Sequence, residues 1–326
     1  MWQFVLRQQK ENTEELLKRY AEMATRPDDD LQTVRWKKER FEELKRSEIS
    51  RRINELANVW LSTYFGNRVE ETDYEDLQNR LSPNRFPDWS GQREQEWFRR
   101  AQAQAREKRF FHWELEFPEA FAGKEKPGFD IVIGNPPYVR QEKLGEDKAY
   151  FKSIFKIYHS IADLYVYFFE RAHNVLRENG TFGFISSNKF MRSNYGKPLR
   201  NYLKDGIQLK QIIDFGELPV FPEAATFPAI YLTQKIIHKN PTIIYTRVTS
   251  LDFKSLDSLI ASQGLNLSPG AFEGENWKLS AQNETEIMKK MDSLGMPLAE
   301  FVSVKINYGI KTGLNAAFII DSATRK

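Results

Sequence analysis

Asn135-Pro136-Pro137-Tyr138 is the stretch of this chain whose residue types best fit a chemical reaction. The side-chain oxygen of Asn135 and the main-chain carbonyl of Pro136 are two acceptors on adjacent residues. Together they can each take one hydrogen of a flat, conjugated primary amine such as the exocyclic amine of adenine. That amine is a poor nucleophile because its lone pair is delocalised into the ring. Two fixed acceptors draw the nitrogen toward a tetrahedral shape and stabilise the positive charge that develops on it, with no ionised base needed. The prolines make the acceptors rigid: Pro137 restricts Pro136, and Pro136 restricts Asn135, so little ordering remains on binding. Tyr138 adds an aromatic face on which a base turned out of a duplex can stack.

The elements around the tetrapeptide fit that reading. Phe129 to Ile133 is a short apolar run between Gly128 and Gly134, which predicts a strand buried on both faces. The tetrapeptide then lies at the strand's carboxyl end, where ligands bind in open α/β sheets. Asn or Asp followed by two prolines and an aromatic arises by chance in roughly one chain in a hundred of this length. The bland alternative is a proline turn after a strand. Beyond it, Ile161 to Arg177 has helical spacing and ends at Asn179-Gly180, and Thr181 to Ser187 returns to a strand. A helix near Leu199 to Lys204, a strand from Leu209 to Phe215, and strands near Ala229 to Ile236 and Thr242 to Val248 follow. This alternation predicts a mostly parallel, doubly wound sheet with an antiparallel end.

Residues 1–109 are charged and helical. Pro27 with Asp28 to Asp30 separates a first helix from a second, which runs from Leu31 to Tyr64 without proline or glycine. A further helix spans Arg93 to Lys108. Basic residues crowd Arg35 to Arg52 and Arg93 to Arg109, the latter interleaved with Trp97 and Phe98. Such a surface can contact phosphates; Glu39, Glu42, Glu43 and Glu48 equally suit a solvated, balanced helix face.

The net charge of +3 over 326 residues is weak evidence for a nucleic-acid partner. With no cysteine there is neither a disulfide framework nor a thiolate metal site; this fits a reducing cytoplasm. His112, His159, His173 and His238 lack the close pairing of a metal site, so no metal is expected. No apolar run approaches membrane length. Lys311-Thr312-Gly313 is no phosphate loop, because the glycine required before the lysine is missing.

Taken together, these residues resemble the amino-methyltransferases with an [Asn/Asp]-Pro-Pro-[aromatic] motif. The match is to the adenine-N6 DNA enzymes of the TaqI type and their longer Type IIG restriction–modification relatives. Asp163 to Ala172 looks like the family's helix after the catalytic loop, and Gly180 to Ile185 like the following strand. Val220-Phe221-Pro222 is similar to its second base-contacting loop, which implies that Phe221 stacks on the face of the flipped adenine opposite Tyr138. Phe168 matches a position that packs against the cofactor's adenine, although its spacing also suits plain core. Phe221 could instead be a simple loop anchor. Gly295 to Leu298 and Tyr308 to Asn315 look like the junction with, and start of, a target-recognition domain.

The resemblance implies a Rossmann-like methyltransferase sheet, incomplete here, with S-adenosylmethionine as cofactor. It also implies double-stranded DNA with a flipped adenine as substrate, and a restriction nuclease, fused or separate, as partner. The expected organisation is a helical insertion over 1–109 and the catalytic half of the methyltransferase domain over 110–250. A connecting segment then covers 251–297, and the opening of a β-rich target-recognition domain covers 298–326. The family's glycine-rich cofactor loop and the acidic residue that accompanies it are not visible upstream of Asn135. The chain therefore reads as a fragment whose activity belongs to the intact enzyme. A protein-glutamine or RNA methyltransferase shares the tetrapeptide, and an inactive DNA-binding remnant is a second alternative.

Overall fold

The computed structural model describes residues 18–302 except 24, 82–88, 122–123, 206, 222–226, 237–241, 274–276, 278, 280–286, 288–289, 292 and 297. Residues 1–277 form one compact unit and 278–326 a second. In the second unit Leu298–Phe301 is a single helical turn. Residues 303–326, where a β-rich domain is expected to open, lie outside the described residues.

The amino-terminal part is helical as expected, but its long helix is broken. Helix α1 runs over Leu31–Arg46 and α2 over Glu48–Thr63. Ser47 separates them in an extended conformation. Its hydroxyl donates to the Leu44 carbonyl (2.6 Å) and accepts the Ser50 N–H (3.3 Å). A serine that serves both helix ends breaks a helix without proline or glycine. Helix α3 spans Glu71–Asn79 and α4 spans Glu96–Lys108, which starts after an extended Gln95 rather than at Arg93. Phe98 is buried with Ile53, Leu56 and Trp89, and Trp97 packs on the same core. The aromatics of the basic stretch thus face inward, away from any phosphate surface. Many of the cations are paired: Arg93 with Glu55 (3.0 Å) and Glu48 (3.2 Å), Arg52 with Glu48 (2.9 Å), Arg40 with Glu43 (2.6 Å). This is the balanced helix face.

The rest of this unit builds a mixed sheet, whose last strand lies in the stretch expected to be a connecting segment. Its strands are β1 (Phe129–Gly134), β2 (Leu176–Ser187), β3 (Gln208–Asp214), β4 (Pro228–Gln234), β5 (Ile243–Arg247) and β6 (Leu265–Leu267). Their order is β1-β2-β4-β3-β5-β6. β1 pairs with β2 and β3 with β5 in parallel, whereas β4 is antiparallel to both β2 and β3, and β6 to β5. The antiparallel element is therefore not confined to an end, as the sequence suggests. β4 lies inside the sheet, between β2 and β3, and runs antiparallel to both. Helices α5 (Asp147–Ile154), α6 (Leu164–Val175), α7 (Lys197–Asp205) and α8 (Leu256–Gln263) complete the alternation. Phe169 of α6 fastens that helix to the sheet, its ring 5.5–5.6 Å from those of Phe182, Phe184, Phe190 and Tyr231.

Two local expectations need correction. Helix α6 ends at Val175, and Asn179-Gly180 lies within β2, not at a helix end. Asn179 has φ +65° and donates its N–H to the Lys235 carbonyl (3.0 Å). Left-handed Asn serves a bulge as readily as a helix stop. The register confirms one, jumping from Phe129↔Leu176 to Ile131↔Thr181. Strand β1 is also not buried on both faces. Among the described residues it pairs only with β2, so it is an edge, and Ile131 and Ile133 are 67% and 80% exposed. An apolar run between glycines looks the same in a central strand and an uncovered edge.

Strand β1 enters the sheet through Gly128, whose φ of +124° suits only glycine. A Cβ there would lie 2.4 Å from the Arg177 nitrogen and 2.6 Å from the Leu176 carbonyl carbon. Since the β2 bulge is main chain, it cannot swing aside. Gly128→Ala is expected to lower unfolding free energy by about 1–3 kcal/mol. Urea unfolding followed by circular dichroism measures this, and an unchanged midpoint would show that the bulge yields.

Candidate active site

The tetrapeptide leaves β1 directly after Gly134. Asn135 and Pro137 are exposed, Pro136 is buried and Tyr138 is half-buried. Among the described residues no hydrogen-bond partner engages the Asn135 side chain, which leaves its oxygen free for a ligand. The segment after Tyr138 is tied to the start of α6. The Leu164 N–H donates to the Val139 carbonyl, and the Gln141 N–H to Asp163 Oδ1, both at 2.9 Å. Asp163 is the N-cap residue of α6 yet makes no side-chain bond within the helix. Its carboxylate holds the segment after the tetrapeptide instead. Helix and tetrapeptide are thus fixed to each other at two points, and α6 is in turn fixed to the sheet by Phe169.

Strands β1, β2 and β3 run in one direction, so their carboxyl-terminal loops meet at one edge. The Tyr138 ring lies 6.4 Å from that of Phe221, which follows β3, with 59° between their planes. It also lies 6.4 Å from the ring of buried Tyr165 on α6, at 37°. Tyr165 shares a hydrogen bond with Tyr195 across 3.0 Å. The Tyr138 hydroxyl reaches the Ile185 carbonyl only at 3.5 Å, at the limit of a hydrogen bond. Burial raises the pKa of Tyr138 above its ordinary value, so its phenol stays neutral near pH 7.

The structure brings Asn135 to Tyr138 together with Phe221. Phe168 stands one helical turn beyond Tyr165 on α6 and is 38% exposed, while Tyr165, Val166, Tyr167 and Phe169 are all buried. It is therefore not plain core. No ring contact joins it to the tetrapeptide. Tyr165 and Asp163 support the site and were not singled out from sequence. Asp163, ahead of the apolar run Leu164 to Phe169, has the form of a helix cap, but nothing local marks Tyr165.

Among the described residues no group of three or more His, Asp or Glu could hold a metal. Burial lowers the pKa of His112 to about 4 and that of His173 to about 3. Each is hydrogen-bonded in the interior, to Asn58 (2.8 Å) and Thr233 (3.1 Å) respectively. These are neutral core histidines. No helix among the described residues is long and apolar enough to cross a membrane.

The comparisons with known proteins agree on one family. Residues 9–221 match the model of the Eco57I restriction-modification methylase. The chain is 32% identical to the Type II methyltransferase M.BstVI of Geobacillus stearothermophilus, over 65% of this chain and 40% of that protein. It is 30% identical to the Type II methyltransferase M.PaeR7I of Pseudomonas aeruginosa, over 59% and 35%. It is 28% identical to the Type II restriction enzyme and methyltransferase RM.Eco57I of Escherichia coli, over 59% and 19%. The chain thus spans two fifths or less of the length of these relatives. The match to the family model runs through β1, the tetrapeptide, α6, β2 and β3 to Phe221, so it takes in both halves of the site. The chain belongs to the Eco57I restriction-modification methylase family.

Proposed function

We propose that the protein to which this chain contributes methylates the exocyclic amine of an adenine turned out of double-stranded DNA, within a restriction–modification system. The observation that carries this reading is the pair of aromatic rings, Tyr138 and Phe221, 6.4 Å apart beside the exposed Asn135. A flat base between two rings needs them parallel and about 7 Å apart. The pair is slightly too close and tilted, so a modest turn of the half-buried Phe221 admits the base. A glutamine side chain has no ring to fill that gap, which favours a nucleobase over a protein substrate. The relatives named as Type II methyltransferases support the modification role, and the one named as both restriction enzyme and methyltransferase supports a restriction nuclease as partner.

In this reading the Asn135 oxygen and Pro136 carbonyl accept the two amine hydrogens and aim the nitrogen lone pair. The prolines and the ties to α6 hold both acceptors still, so no reorganisation is required as charge develops. Tyr138 and Phe221 fix the plane of the base. The exposed ring of Phe168 fits the adenine of S-adenosylmethionine. That cofactor, when bound, supplies an electrophilic methyl group. The methylated amine carries an extra proton, which it gives up to solvent because an amine conjugated with a purine ring is a very weak base.

Two outcomes follow for the full-length protein. Asn135→Ala is expected to slow single-turnover methyl transfer by about 100-fold or more while leaving DNA affinity nearly intact. A near-normal rate would remove Asn135 from the chemistry. Tyr138→Ala and Phe221→Ala should each cost about 1–3 kcal/mol of base stacking. With 2-aminopurine at the target position, each variant complex should fluoresce differently from wild type, brighter where a quenching ring is lost. If Phe221→Ala changes neither fluorescence nor rate, Phe221 is a loop anchor and the two-ring reading fails.

A further inference from the structure

A buried carboxylate stands at the root of the loop that carries Phe221. Asp214 is the last residue of β3 and is 2% exposed. Its Oδ1 accepts from Asn188 Nδ2 (2.8 Å) and from the Gly216 N–H (2.9 Å). Its Oδ2 accepts from the Tyr245 hydroxyl (3.1 Å) and from Arg247 Nη1 (2.5 Å). Its carbonyl accepts the Val248 N–H (2.9 Å). The donors come from the end of β2, from the loop itself and from β5. One side chain therefore fastens three separate segments at the carboxyl edge of the sheet.

From that anchor the loop is specified step by step. Gly216 has φ +56°, and a Cβ there would lie 2.2 Å from Arg247 Nη2. The guanidinium thus lies close against the main chain at the turn, in the space a side chain at 216 would need. The Leu218 N–H then donates to the Phe215 carbonyl (3.0 Å) and the Val220 N–H to the Leu218 carbonyl (2.8 Å). Leu218 and Val220 pack on Ile213, Phe215 and Val248. Phe221 follows, with its ring at Tyr138. An ion pair whose carboxylate is buried is seldom more stabilising than apolar packing of the same volume. What it supplies is a fixed geometry, because a misplaced partner leaves a charge unpaired.

We propose that Asp214, through Arg247, is a positioning residue that sets the distance of Phe221 from Tyr138. This rests on the two-ring reading of the site, so the test has one arm that is independent of methylation. Asp214→Asn keeps the shape and the bonds from Asn188 and Gly216, but turns an N–H toward Arg247. Arg247→Met removes the cation at a half-exposed side chain and spares the core. Arg247→Lys restores charge without the guanidinium's close approach to Gly216.

In the full-length protein, Asp214→Asn and Arg247→Met should each lower kcat by up to about 100-fold. KM for DNA should change little, and the double variant should be no worse than either single one, as expected of one coupled pair. Arg247→Lys should recover part of kcat. Without DNA, an NMR cross-peak between selectively labelled Tyr138 and Phe221 rings should be present in wild type and lost in Arg247→Met. Persistence of that cross-peak in folded Arg247→Met would overturn the proposal, whether or not Asp214→Asn folds. A wild type that shows the cross-peak and loses it in the variant, yet does not methylate DNA, would uphold the positioning and defeat the assigned reaction.

Discussion

Parallel strands deliver their carboxyl ends to one edge of a sheet, and the candidate site depends on that constraint. β1 brings the tetrapeptide, β3 brings Phe221 and β2 brings Asn188, although they are far apart in the chain. The intervening β4 runs antiparallel to both β2 and β3, which are therefore parallel to each other. The remaining contacts refine what the strand directions allow. Asp163 and Leu164 tie the tetrapeptide to α6, and Asp214 ties the Phe221 loop to β5.

Charge is used differently in the two parts of the molecule. In the amino-terminal helices, ion pairs such as Arg51–Glu48 and Arg40–Glu43 lie on surfaces, where each contributes little to stability. Those helices are held by the core around Leu56, Trp89 and Phe98. At the site the one buried carboxylate, Asp214, has every acceptor position occupied. Its other donors, Asn188, Gly216 and Tyr245, are neutral, and its charge is balanced by Arg247. Such a surround suits a reaction in which a neutral amine gains positive charge and fixed dipoles receive it.

The sequence made the tetrapeptide, its strand and the alternation of helices and strands legible, because each is a local pattern of a few residues. It also pointed to Phe221 through a resemblance, and the structure sets that ring against Tyr138. What was not legible depends on neighbours distant in the chain. Ser47 breaks a helix only because its hydroxyl finds both helix ends. Gly128 reads as a strand boundary, yet its role is to pass beneath the bulge at Arg177. Ile131 and Ile133 have the composition of an interior strand whichever way the edge is covered. Asp214 is one acid among 45 Asp and Glu residues until the fold surrounds it with donors.

The central claim is that an adenine amine is the atom methylated, and nucleoside analysis tests it most directly. Full-length protein would be given S-adenosylmethionine with an isotopically labelled methyl group, together with duplex DNA, RNA and total protein in separate reactions. Digestion and mass spectrometry then locate the label. Label in N6-methyladenine from duplex DNA, absent with Asn135→Ala, is the expected result. Label in a cytosine, in RNA or in glutamine instead would contradict the placement of adenine between Tyr138 and Phe221.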